Sequence, residues 1–538
     1  MPDPTPPPLD ALIIGAGFAG LYQLHLLRDR QKRNVLVLEA GSGVGGTWYW
    51  NRYPGARCDS ESWSYCFSFD DSLVQEWQWT ERYPRQPEIL RYLNHVADRF
   101  DLRRDIRFDT RVTAAWFDET TNLWTVTTEA GETFRARFLI TAVGCLSAAN
   151  IPKIPGLGDF RGRWVHTGEW PHEGVDFAGK RVGQVGTGST GIQAAPVIAA
   201  EAEHLTVFQR TPNYSCPARN HPLDDAFRAR IKATWPEIKA RMKSNTSGHP
   251  YLISPRKTFE VSAAERRALY EDAWARGGLG FRATFGDMML DKDANAEASA
   301  FLREKIRTIV KDPKTAAALT AFDHPFATKR PPIDSEYFET FNRANVRLVD
   351  IRADPIARIT PDGIRLSSGE EIPLDIIVFA TGFDAMTGPL LNIEITGRDG
   401  TSLREAWAAG PKTYLGLGVE KFPNLFTITG PGSPSVLTNM PMAIEQHAEW
   451  ISDCIAWLDA HGKARIEATG EASDTWGAHV QQVASATLYP QAASSWYLGA
   501  NVPGKPRVFM PYLGGLARYG EICAEVAANG YRGFALTA

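Results

Sequence analysis

The run Gly15-Ala-Gly17-Phe18-Ala-Gly20 sits between an apolar stretch, Asp10-Ala-Leu-Ile-Ile14, and a helix-forming stretch that reads through Leu27. A second apolar stretch, Val35-Leu-Val-Leu-Glu39, follows. The same arrangement returns far along the chain. Arg181-Val-Gly-Gln-Val185 leads into Gly186-Thr187-Gly188-Ser189-Thr-Gly191, then a helical stretch through Ala200, then Leu205-Thr-Val-Phe-Gln-Arg210. Short apolar runs separated by a glycine turn and a helix suit parallel strands covered on both faces.

A lone Gly-x-Gly-x-x-Gly is weak, because glycines mark tight turns in any α/β protein. Here strand, loop, helix and strand come in order twice. In such a unit the first glycine permits the turn and the second lets backbone approach a pyrophosphate. The third lets helix pack on strand, with phosphate at the helix N-terminus. Glu39 ends the second strand of the first unit, near the spacing expected of a carboxylate that binds ribose hydroxyls. Arg210 occupies the matching position of the second unit. A carboxylate there would repel a ribose 2′-phosphate, whereas a guanidinium binds it through a forked, charge-assisted contact. Thr211 can add a hydroxyl bond. The first unit therefore suits FAD and the second NADPH. The expected fold class is α/β, with two Rossmann-like dinucleotide-binding domains.

Two other apolar runs end in glycine, Phe138–Gly144 and Ile376–Gly382. Both suit central strands leaving a sheet at a tight turn, and domain boundaries are placed near them. The FAD domain is then discontinuous, residues 10–145 and 383–538. The NADP domain spans 146–382. Within it, about 213–328 is richer in charged and helix-forming residues, such as Ser262–Tyr270, and is expected to be a helical insertion. Residues 1–9, opening Met1-Pro-Asp-Pro-Thr-Pro-Pro-Pro8, read as a disordered lead-in without the basic and apolar regions of a signal peptide.

Composition excludes several classes. The 538 residues carry 58 Lys and Arg against 62 Asp and Glu, a net charge of −4, so no bulk attraction to nucleic acid or an anionic membrane is expected. No apolar run reaches the roughly 18 residues of a membrane span. None of the six cysteines lies in a Cys-x-x-Cys pair, which argues against a disulfide framework, a zinc site and a disulfide reductase. No metal is expected, and no protein partner is evident. A cytoplasmic location fits this cysteine usage. The 16 tryptophans point to large apolar interior surfaces or pockets.

Two dinucleotide sites imply hydride transfer from nicotinamide to flavin, but not what the flavin then reduces. A third motif narrows this. Phe160-Arg-Gly162-Arg-Trp-Val-His166-Thr-Gly-Glu-Trp170-Pro171 fills every fixed position of Phe-x-Gly-x-x-x-His-x-x-x-Trp-Pro. It resembles the fingerprint of the type I Baeyer–Villiger monooxygenases. Gly45-Gly46-Thr47-Trp48 continuing to Pro54-Gly55-Ala-Arg-Cys-Asp59 resembles a second motif of the same family. The resemblance runs from about Leu9 to the C-terminus. Trp63–Trp79, Lys329-Arg330, Ser495–Gly504 and the long loop Gly430–Met440 are most similar to the family's phenylacetone and steroid branch.

That resemblance implies the reaction and its residues. NADPH reduces FAD, dioxygen adds to give a C4a-peroxide, and the peroxide attacks a ketone to form a Criegee-type adduct that rearranges to an ester or lactone. Bulky, aryl or cyclic ketones are implied, with dioxygen as co-substrate. Arg330 matches the catalytic arginine, whose guanidinium stays protonated and supports an anion without acting as an acid. Asp59 matches the carboxylate that orients it. Lys329 matches a contact to the NADP 2′-phosphate and Trp496 a residue near the nicotinamide. Trp48, Tyr65, Val112 and Met440 match positions around FAD. Ser435, Leu437 and Met440 are expected to border the substrate. His166 invites a general-base reading, but its place between the nucleotide domains favours holding a linker.

Two alternatives stand beside this. A flavin N- or S-oxygenase would not need Arg330 in the same way, and sulfoxidation is expected at most as a side activity. A non-catalytic redox-sensing protein would bind both nucleotides and turn over neither.

Overall fold

The computed structural model describes residues 7–538. Of the expected lead-in, residues 1–6 lie outside the described residues. Leu9 does not belong to a lead-in. It opens the strand Leu9–Ile14 and pairs with Ala136, because the apolar run needs both neighbours to cover its faces.

The first sheet has eight strands. Its centre is parallel: Val35–Leu38 and Thr133–Thr141 flank Leu9–Ile14, with Leu12 opposite both Leu36 and Leu139. Ala11, Leu12 and Ile13 have no exposed surface, as parallel strands covered on both faces require. The antiparallel strands Leu123–Thr128 and Val112–Asp118 extend one edge. Ile106–Arg107 closes the other edge beside Val35–Leu38, and two strands from late in the chain complete the sheet: Glu394–Thr396 beside Val112–Asp118, and Leu425–Thr427 beside Thr133–Thr141. The second sheet is wholly parallel, in the spatial order Val346–Asp350, His204–Gln209, Arg181–Val185, Ile376–Phe379, Arg163–His166.

The helix Phe18–Leu24 is buried along its whole length and widens into a π-helical turn, His25–Arg30, running past the expected end at Leu27. It lies against the long helix Met440–Ala460. Tyr22 donates to Glu449 at 2.8 Å and Gln23 to Ser452 at 2.8 Å across that contact. Residues 213–328 are mostly helical. Asp225–Ala233 and Trp235–Ser244 lie toward the first sheet's core, where Trp235 and Met242 are buried. Ala263–Arg276 and Lys292–Ile309, with the turn Gly278–Ala283 between them, build a separate aromatic core from Tyr270, Trp274, Phe281 and Phe301. Ser262 caps the first of these helices by accepting from the Glu265 amide at 3.2 Å. Among the described residues, no helix is long and apolar enough to cross a membrane.

Candidate active site

Each glycine loop is shaped by the turn that leaves the neighbouring strand. Gly15 has φ +104°, and a Cβ there would sit 2.6 Å from the Ala142 carbonyl oxygen. Gly186 has φ +111°, and its Cβ would sit 2.4 Å from that of Ala380. The third glycines pack on the first: a Cβ on Gly20 would come within 1.8 Å of the Gly15 oxygen, and one on Gly191 within 2.4 Å of the Gly186 oxygen. The middle glycines differ. Gly17 faces the backbone of Gly46, whose own Cβ would lie 2.9 Å from the Gly17 Cα. Gly188 faces open space, with nothing within 4 Å of its would-be Cβ, as a cradle for a phosphate requires.

Around the first loop, Glu39 is buried and accepts from the Ala16 and Gly41 amides, each at 2.7 Å. Burial pushes its carboxyl up, while those two N–H bonds pull it down. Each oxygen has one backbone donor and a lone pair left for a hydroxyl, so the donor set fits an adenosine ribose. Gly46 caps the short helix Thr47–Trp50. The Trp48 indole donates to the Tyr65 hydroxyl at 3.2 Å, and the Tyr65 ring stands edge-on to Phe18 at 5.4 Å. Val112 is buried at the head of its strand, in one apolar cluster with Leu12 and Leu38.

Around the second loop, Thr187 donates to the Thr211 carbonyl at 3.0 Å, and Ser189 starts the helix Ser189–Glu201. Arg210 is exposed just past its strand. The Thr211 hydroxyl reaches Asp323 at 3.5 Å. Lys329 lies 3.8 Å and Arg352 3.9 Å from the same carboxylate. Burial lowers the Lys329 pKa, Asp323 opposes this, and the charge of Arg210 lowers it further. Two cations therefore gather around one carboxylate, with Arg210 near enough to act on Lys329, an excess of positive charge suited to a phosphate.

The insertion and the segments around Arg330, Val436 and Tyr497 enclose a cleft of about 850 Å³ including its open mouth. Arg330 reaches it from the segment following the insertion. Its Nε donates to Asp59 Oδ2 at 3.4 Å and its Nη1 to the Val436 carbonyl at 3.2 Å. The Asp59 side chain is 7% exposed and that of Arg330 32%, so the carboxylate anchors the inner end and the guanidinium faces the cleft. Gln193 donates to Asp59 at 3.4 Å and accepts from the Tyr53 hydroxyl at 2.8 Å, tying the pair to the helix of the second loop. Burial pushes the Asp59 carboxyl up, against the pull of Arg330. Asp59 in turn holds Arg330 protonated despite its own burial.

Of the expected pocket residues, Leu437 lines the cleft, whereas Ser435 and Met440 do not. Ser435 has φ +41° and is fully buried, and Met440 opens the long helix behind it. Trp496 is half-buried, 4.2 Å from Tyr497, and it is Tyr497 that faces the cleft. Sequence reasoning missed His249, Tyr251 and Arg282, which the insertion contributes to the wall. Nothing in their local sequence marks them. His249 stacks on Tyr251 at 5.2 Å, and burial, reinforced by Arg330 and Arg282, drives its pKa down to about 3.

The fingerprint lies outside the cleft. Phe160 packs among Val185, Phe208 and Phe379. Gly162 is required because a Cβ would meet the Asp375 oxygen at 2.3 Å. Trp170 is buried against Phe177 at 6.3 Å, followed by half-buried Pro171. His166 ends its strand opposite Phe379, and its Nδ1 accepts from the Gly168 amide at 3.0 Å. Among the described residues, no group of His, Cys, Asp or Glu could hold a metal ion. All six cysteines are free and buried.

Residues 12–283 match the family model of the pyridine nucleotide-disulphide oxidoreductases, although the chain has no Cys-x-x-Cys pair. A Baeyer–Villiger monooxygenase of Pseudooceanicola batsensis is 47% identical over 97% of this chain and 95% of its own length. A solved structure of oxidized steroid monooxygenase bound to NADP is 54% identical, covers 99% of this chain and 100% of that one, and superposes with a TM-score of 0.94. A closed crystal structure of cyclohexanone monooxygenase, 46% identical over 99% of this chain and 100% of that one, gives 0.96. Two glycine loops, a cation-rich site beside the second and an arginine–aspartate pair at the cleft agree with these matches: the chain belongs to the Baeyer–Villiger monooxygenases.

Proposed function

We infer that the chain converts ketones to esters or lactones with NADPH and dioxygen, and that Arg330 facing the cleft carries the chemistry. When bound, FAD reduced by NADPH delivers one atom of dioxygen to the substrate carbonyl carbon. The chain's task is to hold both nucleotides, orient the ketone and stabilise the negative charge that develops on oxygen. Arg330 suits this because it stays charged and donates without releasing a proton. Asp59 fixes its direction and offsets part of its charge in a poorly hydrated site. The observation that carries the reading is this pair, anchored from Gln193 at one end and open to the cleft at the other.

In this reading residues 10–145 and 383–538 hold FAD, through Gly15, Gly17, Gly20, Glu39 and the Gly46–Trp48 turn. Residues 146–382 hold NADPH, through Gly186–Gly191, Arg210, Thr211 and Lys329. The apolar and aromatic walls of Leu437, Val436, Tyr251 and Tyr497 favour a bulky, aryl or cyclic ketone. Sulfides are expected as secondary substrates. The six buried free thiols support action in the cytoplasm.

The test is incubation with NADPH, ¹⁸O-labelled dioxygen and a panel of phenylacetone, a steroid ketone, cyclohexanone and a methyl sulfide. An ester or lactone carrying one labelled oxygen is expected. Labelled sulfoxide without any ester would move the chain to the heteroatom oxygenases and remove the role given to Arg330.

A further inference from the structure

The segment 486–505 crosses from the helix Gly470–Ser485 over the cleft. It is tied down at both ends. Near its start, the Leu488 amide donates to the Met289 carbonyl at 3.0 Å, on the insertion. Near its finish, Asn501 donates to the Phe383 carbonyl at 2.8 Å, and Lys505 pairs with Asp384 and donates to the Ala385 carbonyl at 2.7 Å. In the middle it meets two neighbouring cations. Tyr497 lines the cleft with Arg330, and three residues earlier the Ser494 hydroxyl accepts from Lys329 Nζ at 2.7 Å.

That second contact is the unexplained one. Lys329 stands 3.8 Å from Asp323, in the cation cluster next to the second glycine loop. A lysine ammonium is a point charge on a flexible stem, and its direction is set by whatever fixes it. Asp323 is shared with Thr211, His324 and Arg352. The short, well-placed acceptor for Lys329 is therefore Ser494. Having accepted from Lys329, the Ser494 hydroxyl still has its own proton and makes no other hydrogen bond among the described residues. An anion placed against Lys329 and Arg210 would be within the field of a third donor that comes from the far end of the chain.

We propose that Ser494 is a positioning residue for the 2′-phosphate of NADPH, holding Lys329 in place and adding its own hydroxyl to the anion site. The inference rests on the reading of Arg210, Thr211 and Lys329 as that site. It assigns coenzyme selectivity partly to a residue outside the domain that carries the glycine loop. It also links the phosphate site to the segment over the cleft: a ligand with a 2′-phosphate adds a further hold on 486–505 beside the Lys329 contact, whereas one without it leaves that contact alone between the two tied ends.

The test uses the FAD-loaded enzyme and two probes that carry no nicotinamide, adenosine 2′,5′-bisphosphate and adenosine 5′-monophosphate. Their dissociation constants are measured by calorimetry for the wild type, Ser494→Ala and Ser494→Thr. Ser494→Ala is expected to weaken the bisphosphate about tenfold, the scale of one hydrogen bond to a charged group. The monophosphate should change by less than about twofold on the same scale. Ser494→Thr, which keeps the hydroxyl, should bind the bisphosphate like the wild type. Hydrogen exchange across 488–505 gives a second readout. The bisphosphate should slow it in the wild type and the Thr variant, but not in the Ala variant. Unchanged bisphosphate binding in Ser494→Ala, equal losses for both probes, or a Thr variant that behaves as Ala would each overturn the assignment. A wild type that binds both probes equally would instead show that the 2′-phosphate site itself is misplaced.

Discussion

At the scale of single residues, the central pair divides its work unequally, and substitutions should show it. Arg330→Ala removes the guanidinium that is both anchored by Asp59 and open to the cleft. Ester formation should fall by about 10²–10³-fold, the usual cost of one donor aimed at developing negative charge. NADP⁺ affinity should hold, since Arg210 and Lys329 are untouched. Asp59→Asn keeps the shape but loses the orienting charge, and a smaller loss, about tenfold, is expected from one weakened charged hydrogen bond. Product formed per NADPH oxidised checks both. Burial has a different consequence at Glu445. It is sealed beneath the Ser68–Phe69 turn, bonded to the amide and hydroxyl of Ser68 and accepting from the Phe69 amide at 3.1 Å. Burial, with Glu449 adding to it and Lys243 opposing, raises its pKa from 4.5 to about 7. The folded chain therefore keeps a proton that the unfolded chain has lost. Its contribution is full below pH 4.5 and fades as pH rises to 7, by about 3 kcal/mol. Glu445→Gln mimics the protonated carboxyl and should remove that slope. The melting temperature of the variant relative to wild type should climb between pH 5 and about 7.5. A constant difference would mean that Glu445 is ionised throughout.

At the scale of elements, the two glycine loops separate folding from binding. Gly20 and Gly188 occupy different positions of one motif, yet a methyl group meets different surroundings at each. On Gly20 it would overlap the Gly15 carbonyl oxygen at 1.8 Å, a backbone atom that cannot yield. Gly20→Ala is therefore expected to unseat the buried helix Phe18–Leu24, costing about 3 kcal/mol or more by overpacking, with loss of FAD. On Gly188 the methyl meets nothing, and the φ of −82° at Gly17 and −80° at Gly188 are both open to alanine. Gly188→Ala should melt within about 1 °C of wild type, as surface changes that disturb no contact do, yet bind NADP⁺ more weakly. A calorimetric scan and a binding titration on each variant settle the pair. The motif was legible because these constraints are local: the turn, the strand and the first turn of helix lie within a few residues. Glu39 shows the limit of such reading. Its spacing marked it for a ribose, but not its grip on the Ala16 and Gly41 amides, which depends on how the second strand leaves the sheet. The cleft wall was less legible still. His249, Tyr251 and Arg282 come from the insertion and Tyr497 from near the C-terminus. No period or spacing connects them, and only the closed chain brings them to Arg330. Arg330 itself stood out through family resemblance and not through any property of its neighbours in sequence.

At the scale of the whole molecule, two sheets are joined by two nearby crossings. One leaves Thr133–Thr141 through Gly144, and the other returns after Ile376–Phe379 through Gly382. They are stitched together: the Asn150 amide donates to the Gly382 carbonyl at 2.9 Å and Thr381 donates to the Asn150 carbonyl at 2.6 Å. His166 sits at this crossing. Its ring stands edge-on to Phe383 at 6.1 Å, and Nδ1 takes the Gly168 amide, which places the proton on Nε2. Burial lowers its pKa from 6.5 to about 4, the Gly382 carbonyl opposing. A ring that stays neutral across the neutral range, and that lies outside the cleft, is not placed for proton transfer to a ketone, and we propose that it fixes the crossing instead. Three outcomes follow for His166→Asn and His166→Ala. Asparagine can still accept from Gly168, so it should retain more activity than alanine. Both variants should keep the wild-type shape of activity against pH between about 6 and 9, since no group titrating there has been removed. In stability the sign is set by the lowered pKa. The unfolded histidine takes up a proton below pH 6.5 while the folded one does not, so its stabilising contribution is full above 6.5 and is lost as pH falls toward 4. The gap in melting temperature between wild type and His166→Ala should therefore narrow on acidification. An activity profile that loses its inflection near pH 6.5 in both variants would instead put His166 in the chemistry, and the crossing would have to be held by the Asn150 contacts alone.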